Sequence, residues 1–326
     1  MSWKNIVGHE PVLRLLKGQV SKDRVPSTYL FAGPSGIGKR ALALELAKAL
    51  QCAEPTTDGS CDGCEACLKI MQGTFPDVME IRPDGETDTL KIEHVRTLAN
   101  GMALTSYAGK WKVGIVDGAD RLTEEAAHAC LKILEEPTEK SLLILIATAP
   151  YRLPSTLVSR CHLVRCAPQG IQRAAAYLTE KEKLDAGQAA LLATSAGGRL
   201  GLALEFHRND RLASRNKNLN QLLNAWHQRS VELPLGTAPR PEIEEALEWL
   251  ASWWRDQLVV LLKGDAQWLI HQDRLQELEK IRAVSEDDLA DLVEMTFTAQ
   301  EAIQRNASPR IALSALLSRS ADGPRG

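Results

Sequence analysis

The sequence predicts a layered α/β domain with a mostly parallel sheet, followed by a segment that is helical throughout. Three observations carry this. Up to about Cys166, short β-rich runs alternate with helical patterns, as crossover helices between parallel strands require. A glycine-rich segment ending in Lys39 follows a β-run and opens a helix. After Pro168, strand signals vanish.

The strands are read in order as Thr28 to Ala32, Val78 to Arg82, Lys112 to Val116 and Leu142 to Thr148, with His162 to Cys166 a short fifth. Between them, Leu42, Leu46 and Leu50 form one helical stripe, and Ala127, Cys130, Leu131 and Leu134 another. At that spacing both are expected to pack in the core. Helical patterns over Gln169 to Thr179 and Asp185 to Ser195 lead to Gly197-Gly198, a small helical module with a boundary. From about Leu204 the chain reads as helix, broken near Pro234 to Pro241 and at Gly264. Ile243, Leu247, Leu250, Trp254, Leu258 and Leu261 recur every three or four residues, and five of the seven tryptophans lie beyond residue 225. That face suits either a core of its own or an oligomer contact.

With 326 residues, 44% hydrophobic and 25% charged, the chain can bury cores for two or three domains. A net charge of −3 argues against wrapping nucleic acid with the whole surface. Leu142 to Ala147 is the longest apolar run, far below the roughly 20 residues that span a bilayer, so no membrane segment is expected. Met1-Ser2-Trp3-Lys4-Asn5 opens into mixed polar sequence without the apolar core of a secretory signal, so a cytoplasmic location is expected. In a reducing compartment the seven cysteines need a reason other than disulfides.

Gly33-Pro34-Ser35-Gly36-Ile37-Gly38-Lys39 fits the phosphate-binding pattern G-x-x-x-x-G-K in its proper strand-to-helix context. Its glycines let backbone N–H groups converge on phosphate oxygens, and Lys39 supplies a point charge. The next position normally carries a hydroxyl that ligates Mg²⁺, but here it is Arg40. The Mg²⁺ site is therefore compromised. Asp117, ending the strand Val113 to Val116, is the candidate for the other metal ligand. The glutamate that orients water in hydrolysing relatives is replaced by Gly118. Asp120, three positions on, reads as a turn or helix-start residue in preference to a substitute base.

Cys52, Cys61, Cys64 and Cys67 give C-x8-C-x2-C-x2-C. Four thiolates on short loops match closed tetrahedral coordination of a structural Zn²⁺; an iron–sulfur cluster shares part of the spacing but lacks the following x3-Cys-Pro. Cys130, Cys161 and Cys166 are too dispersed for a second site and read as core. Arg160, in Leu153-Pro154-Ser155-Thr156-Leu157-Val158-Ser159-Arg160-Cys161, is by default a surface ion-pairing residue. In ring ATPases an arginine placed here reaches a neighbour's nucleotide.

Taken together, the phosphate loop, the cysteine insertion, Leu131-Lys132-Ile133-Leu134-Glu135-Glu136-Pro137, Ser159-Arg160-Cys161 and Asn306-Ala307-Ser308-Pro309-Arg310 resemble the bacterial clamp-loader subunits of the AAA+ class, and among them the δ′ branch of DNA polymerase III. The resemblance implies three parts: an AAA+ P-loop α/β domain over 1–167 with a zinc module at about 51–70, a small helical lid over 168–205, and an all-α collar over 206–326. It implies a hetero-oligomer with γ/τ and δ subunits that places a sliding clamp on primed DNA. ATP would be hydrolysed by sister subunits, with Arg160 as the finger offered in trans. Thr148 matches the γ-phosphate-sensing position, with a shorter turn after it, and Arg199 falls out of register with a later arginine motif. Arg40 and Gly118 favour the non-hydrolysing δ′ type, without intrinsic ATPase, over γ. Retention of Gly33, Pro34, Ser35, Gly36, Ile37, Gly38 and Lys39 leaves ATP binding without turnover open. An active ATPase subunit and a stand-alone zinc-bearing DNA-binding module are the competing readings.

Overall fold

The computed structural model describes residues 3–83, 89–108, 110–228, 235, 238–280, 285–304 and 307–319. Asn306 of the closing motif, and residues 234, 236 and 237 at the expected helix break, lie outside them. The chain divides into two compact units: Met1–Tyr177 with Gly198–Leu202, and Leu178–Gly197 with Ala203–Gly326.

In the first unit, β1 (Thr28–Ala32), β2 (Val78–Ile81), β3 (Lys112–Asp117), β4 (Ser141–Ala147) and β5 (His162–Arg165) form one sheet in the order β2-β3-β4-β1-β5. Every pairing is parallel. The unbroken apolar runs of β1 and β4 occupy adjacent central positions and are buried throughout, as strands covered on both faces must be. The sheet's two faces split by residue parity. Tyr29, Phe31, Leu142, Ile144 and Ile146 pack with α1 (Glu10–Ser21) and α2 (Lys39–Gln51), whereas Leu30, Leu143, Leu145 and Ala147 pack with α4 (Ile92–Ala103) and α5 (Glu124–Glu135).

Local chemistry sets the helix ends. Thr123 caps α5 by accepting from the Ala126 N–H, and Glu124 and Glu125 occupy its first turn, where negative charge favours the helix dipole. Gly73, at φ +70°, ends α3 (Glu65–Gln72), the left-handed stop that glycine tolerates best. The short helix α6 (Ser155–Val158) leads into β5, and α7 (Ile171–Lys181) follows it.

The second unit is helical. It contains α8 (Ala186–Ser195), α10 (Arg211–Gln228), α11 (Arg240–Leu261), α12 (Leu275–Leu278), α13 (Glu286–Gln304) and α14 (Pro309–Arg319); α9 (Leu200–Arg208) begins in the first unit and continues into the second. Ile243, Leu247, Leu250 and Trp254 from the expected stripe pack with Leu289, Leu292 and Ile303. Leu261 is exposed and Leu258 only partly buried, so the stripe is core for most of its length. Arg215 is fully buried and ion-paired with Asp273, while Asp256 Oδ2 accepts the N–H groups of Ile270 and His271 at 2.8 and 2.7 Å. Burial, with Arg215 and Arg274 nearby, lowers His271 to about 3, so it is a neutral core residue. No helix among the described residues is long and apolar enough to cross a membrane.

Candidate functional site

In the order β2-β3-β4-β1-β5 the chain leaves β1 toward β2 at one edge and leaves the adjacent β4 toward β5 at the other, so the connections of these neighbouring strands run in opposite directions. In parallel sheets ligands bind beyond the carboxyl ends of strands at such a point, and Gly33–Lys39 lies there. The loop's glycines have separate reasons. A Cβ on Gly33 would lie 2.2 Å from the Cys166 carbonyl oxygen, and one on Gly36 would lie 2.7 Å from Leu202 Cβ. Gly38 caps α2 at φ +94°. The Leu202 N–H donates to Gly36 O at 3.3 Å, so the start of α9 packs directly on the loop. Beneath it, Gln169 Nε2 donates to Ile37 O at 2.5 Å, Gln169 Oε1 accepts from Leu200 N, and His9 Nε2 stands 2.7 Å from Ile37 O. Pro34, Ser35 and Gly36 lie at the outer edge, whereas Ile37 is fully buried.

Lys39 Nζ donates to the carbonyls of Gly33 and Pro34 at 2.5 and 2.7 Å, which holds the ammonium inside the turn. Burial lowers its pKa, opposed by Cys166, Asp117 and Asp120. Arg40 turns instead to β2. Its Nε and Nη2 donate to Glu80 Oε1 and Oε2 at 2.5 and 2.7 Å, the bidentate fork that a planar guanidinium makes with a carboxylate. Arg82 Nη2 adds a third contact to Glu80 at 3.0 Å. Asp117 ends β3 as expected, and burial first and Glu80 second raise its carboxyl, against the lowering effect of Arg40, Arg82 and Lys39.

These residues do not fit Mg²⁺. The ion demands near-octahedral oxygen ligands, and position 40 supplies a cation already locked to Glu80. Gly118 adopts φ +85°, a conformation that side chains resist, so the backbone there disfavours a glutamate as well as lacking one. Asp120 lies in the turn Ala119–Arg121, and its Oδ2 accepts the N–H groups of Thr148 and Ala149 at 3.2 and 2.8 Å. It fastens the end of β4, where Thr148 is exposed.

The four cysteines of the insertion do come together. The Sγ atoms of Cys52, Cys61, Cys64 and Cys67 all lie within 4.8 Å of one another, with Cys52 and Cys64 at 3.9 Å. Zinc at about 2.3 Å from each sulfur requires neighbouring sulfurs about 3.8 Å apart, so the donor set fits. Backbone N–H groups of Cys61 and Cys64 point at Cys52 Sγ and Cys61 Sγ, both at 3.3 Å, the outer contacts that stabilise thiolate ligands. Burial pushes the Cys67 thiol up. For Cys64, burial is opposed and outweighed by backbone N–H groups of Ala53 and Cys67, giving about 6. Four thiolates in one place need a cation to balance them. The loop is tied to α2 by Lys48, whose Nζ contacts Glu45 Oε1 at 2.6 Å and Asp62 Oδ1 at 2.5 Å. Burial raises the thiols of Cys130, Cys161 and Cys166 to about 12, 11 and 11, as inert core cysteines.

Arg160 follows α6. Its Nη1 donates to Thr156 O at 2.9 Å and its Nη2 stands 3.4 Å from Glu135 Oε1, with both side chains about half exposed. Within this chain it makes the surface ion pair that is the default for a lone arginine.

A P-loop at the switch point of a five-stranded parallel sheet, with helices on both faces, defines the nucleotide-binding core of the AAA+ class. The family described as "DNA polymerase III, delta subunit" matches residues 8–170. The δ′ subunit of DNA polymerase III from Bacillus subtilis is 31% identical over 290 residues, covering 86% of each chain. That of Pseudomonas aeruginosa is 32% identical over 255 residues, 74% of each. The τ subunit of Escherichia coli is 35% identical over 210 residues, which is 63% of this chain and 32% of that one. Among solved structures, a γ-subunit-related protein of DNA polymerase III from Thermotoga maritima matches with a TM-score of 0.53 at 18% identity, covering 95% of this chain and 99% of that one. At that identity the likeness speaks for the fold. The chain belongs to the DNA polymerase III clamp-loader subunit family.

Proposed function

We propose that this chain is a δ′-type, non-hydrolysing subunit of the bacterial clamp loader, acting with γ/τ and δ subunits to load the sliding clamp onto primed DNA. The observation that carries this reading is the Arg40–Glu80 fork at the metal-ligand position. A site built this way cannot assemble the metal-bound phosphoryl-transfer geometry of hydrolysing relatives, and Gly118 leaves no residue to orient water. Residues 1–167 serve as the AAA+ core, 168–205 as its lid and 206–326 as the collar joining the hetero-oligomer. Zn²⁺, held by Cys52, Cys61, Cys64 and Cys67, is structural: four sulfurs leave no position open for water.

The loop and Lys39 still bind nucleotide, without turning it over. Arg160 acts on a neighbouring subunit's ATP, where it offsets charge developing on the transferred phosphoryl group. Its pairing with Glu135 is exposed and thus worth only about 0–1 kcal/mol, so the guanidinium exchanges readily from Glu135 to a phosphate. Reconstitution with γ/τ and δ subunits tests these roles together. Arg160→Ala is expected to lower the clamp- and DNA-stimulated ATPase of the assembly while gel filtration shows the complex intact; unchanged turnover returns Arg160 to a surface ion pair. Clear Lys39-dependent hydrolysis by the purified chain alone would identify an active ATPase subunit instead. Tight, steeply salt-dependent DNA binding without partners would favour the zinc-bearing DNA-binding module.

A further inference from the structure

We propose that the Arg40 guanidinium, clamped by Glu80 at the end of the phosphate loop, replaces the divalent cation of this site, so that the loop takes a nucleoside di- or triphosphate without Mg²⁺. The proposal rests on the reading that the loop binds nucleotide, and adds how it does so.

A phosphate loop usually meets the charge of a polyphosphate with its lysine and a metal ion. Here the residue after Lys39 carries a permanent positive charge, and the geometry fixes where that charge sits. Both Arg40 contacts to Glu80 fall within 2.5 to 2.7 Å, and Glu80 is itself held by Arg82 at 3.0 Å. Register places Glu80 beside Ile115 on β3, two residues before Asp117. The guanidinium is thus tethered between β2 and the start of α2, on the side of the loop where the metal's acidic ligand would stand. Asp117 feels it as a neighbouring positive charge.

The fork engages two of the five guanidinium N–H donors, and the others are of the kind that recognises phosphate oxygens. A dication entering here would have to displace Arg40 from Glu80 and would meet its repulsion. Glu80 is accordingly a positioning residue: it holds Arg40 and touches no nucleotide.

Titration of the full-length, zinc-loaded chain with ADP and with ATP, in excess MgCl₂ and in excess EDTA, tests this by calorimetry. Metal analysis of the chain recovered from each titration checks that zinc is still bound, and only zinc-retaining samples are compared. Wild type is expected to bind with dissociation constants within about twofold in the two conditions, whereas Arg40→Thr loses about tenfold or more in EDTA and regains affinity with Mg²⁺. Glu80→Gln is expected to weaken binding equally in both conditions, because the fork loosens while the charge stays. A tenfold loss for wild type in EDTA overturns the proposal alone. Equal affinity of Arg40→Thr and wild type in EDTA also overturns it, provided melting temperature and zinc content match. Absence of binding by wild type in either condition overturns the nucleotide reading and the proposal with it.

Discussion

Replacing Lys48 with methionine isolates one cation while keeping an unbranched stem. Lys48 is on α2 with no exposed side-chain surface, and the Glu45 side chain is 1% exposed. Removing Nζ takes the Lys48 ion pair from the Glu45 carboxylate, which keeps the Ser60 hydroxyl at 3.4 Å and faces the like charge of Asp62. Breaking one partner out of a buried pair costs about 3–5 kcal/mol. In hydrogen exchange that is a loss of roughly two to three and a half orders of magnitude in protection. Burial already raises the Glu45 carboxyl and Lys48 lowers it, so without Lys48 its folded pKa rises further above the unfolded value. A carboxyl in that state holds its proton more tightly when folded. The variant's stability therefore falls as pH rises through the window between the two pKa values, by at most about 1.4 kcal/mol per pH unit.

The deficit of Lys48→Met should consequently be larger at pH 8 than at pH 4, below the unfolded carboxyl value of about 4.3. Adding Glu45→Gln should recover most of the loss at pH 8 and remove the pH dependence. Exchange of α2 and cysteine-loop peptides, followed by mass spectrometry and corrected for intrinsic rates, reads both. Zinc content is measured in every sample. Equal protection of Lys48→Met and wild type at pH 8, or a deficit identical at the two pH values, would refute the reasoning.

Metal analysis should find one zinc per chain, and chelation should lower the melting temperature and deprotect residues 52–67, because a metal bound only by the folded state adds stability, about 4 kcal/mol at a thousand times Kd; iron, or an unchanged melting temperature after metal removal, would count against zinc. Gly59→Ala should expel Trp3, since its Cβ would lie 2.1 Å from Trp3 Cδ1 at φ +97°. Limited proteolysis should then cut near residue 3 in both Gly59→Ala and Trp3→Ala, and resistance of the former would show that the chain accommodates the methyl. Asp77 accepts from Ser106 Oγ, Tyr107 N and Ala108 N and pairs with Lys112. Burial raises its carboxyl, but Lys112 and the loop N–H groups outweigh that and hold it below the usual range. Its stabilisation is present above the unfolded pKa of about 3.9 and lost as pH falls through the lower folded value. Asp77→Ala should cost about 3–5 kcal/mol at pH 7, with the gap to wild type narrowing as pH falls below the unfolded value of about 3.9; a pH-independent gap in urea unfolding would contradict this.

What the sequence disclosed and what it hid follow from the range of the interactions involved. The five strands were legible within a residue or so because β1 and β4 are unbroken apolar runs. The loop was legible because its chemistry is written in adjacent residues. The cysteines were legible because three of the four sulfurs lie within seven residues of chain, and the fourth ends α2. Helices α1 and α4 were not singled out. Their apolar stripes are thin: among the residues of α1 only Val12 and Leu16 are buried, and of α4 only Val95, Leu98 and Met102.

What stayed hidden at the site are contacts between residues distant in sequence: Glu80 was missed altogether, whereas Asp120 was read as the turn residue it is and only its partners were hidden. Glu80 meets Arg40 across 40 positions, and Asp120 meets Ala149 across 29. Neither contact leaves a local pattern, and a glutamate in β2 next to Arg82 reads simply as an edge of a strand. Yet Glu80 changes the meaning of Arg40. An arginine after the loop lysine, taken alone, records only the loss of a metal ligand; fixed by a bidentate carboxylate, it is a charge set at a defined place. Asp120 acts similarly on Thr148, for it holds the end of β4 by two backbone N–H bonds instead of activating water. The departures at 40 and 118 are accommodated structurally, by a fork and by a left-handed turn, while Asp120 Oδ2 takes two N–H donors and its Oδ1 is buried with no hydrogen-bond partner among the described residues. Together these residues make a scaffold with a positive charge at the loop's metal position.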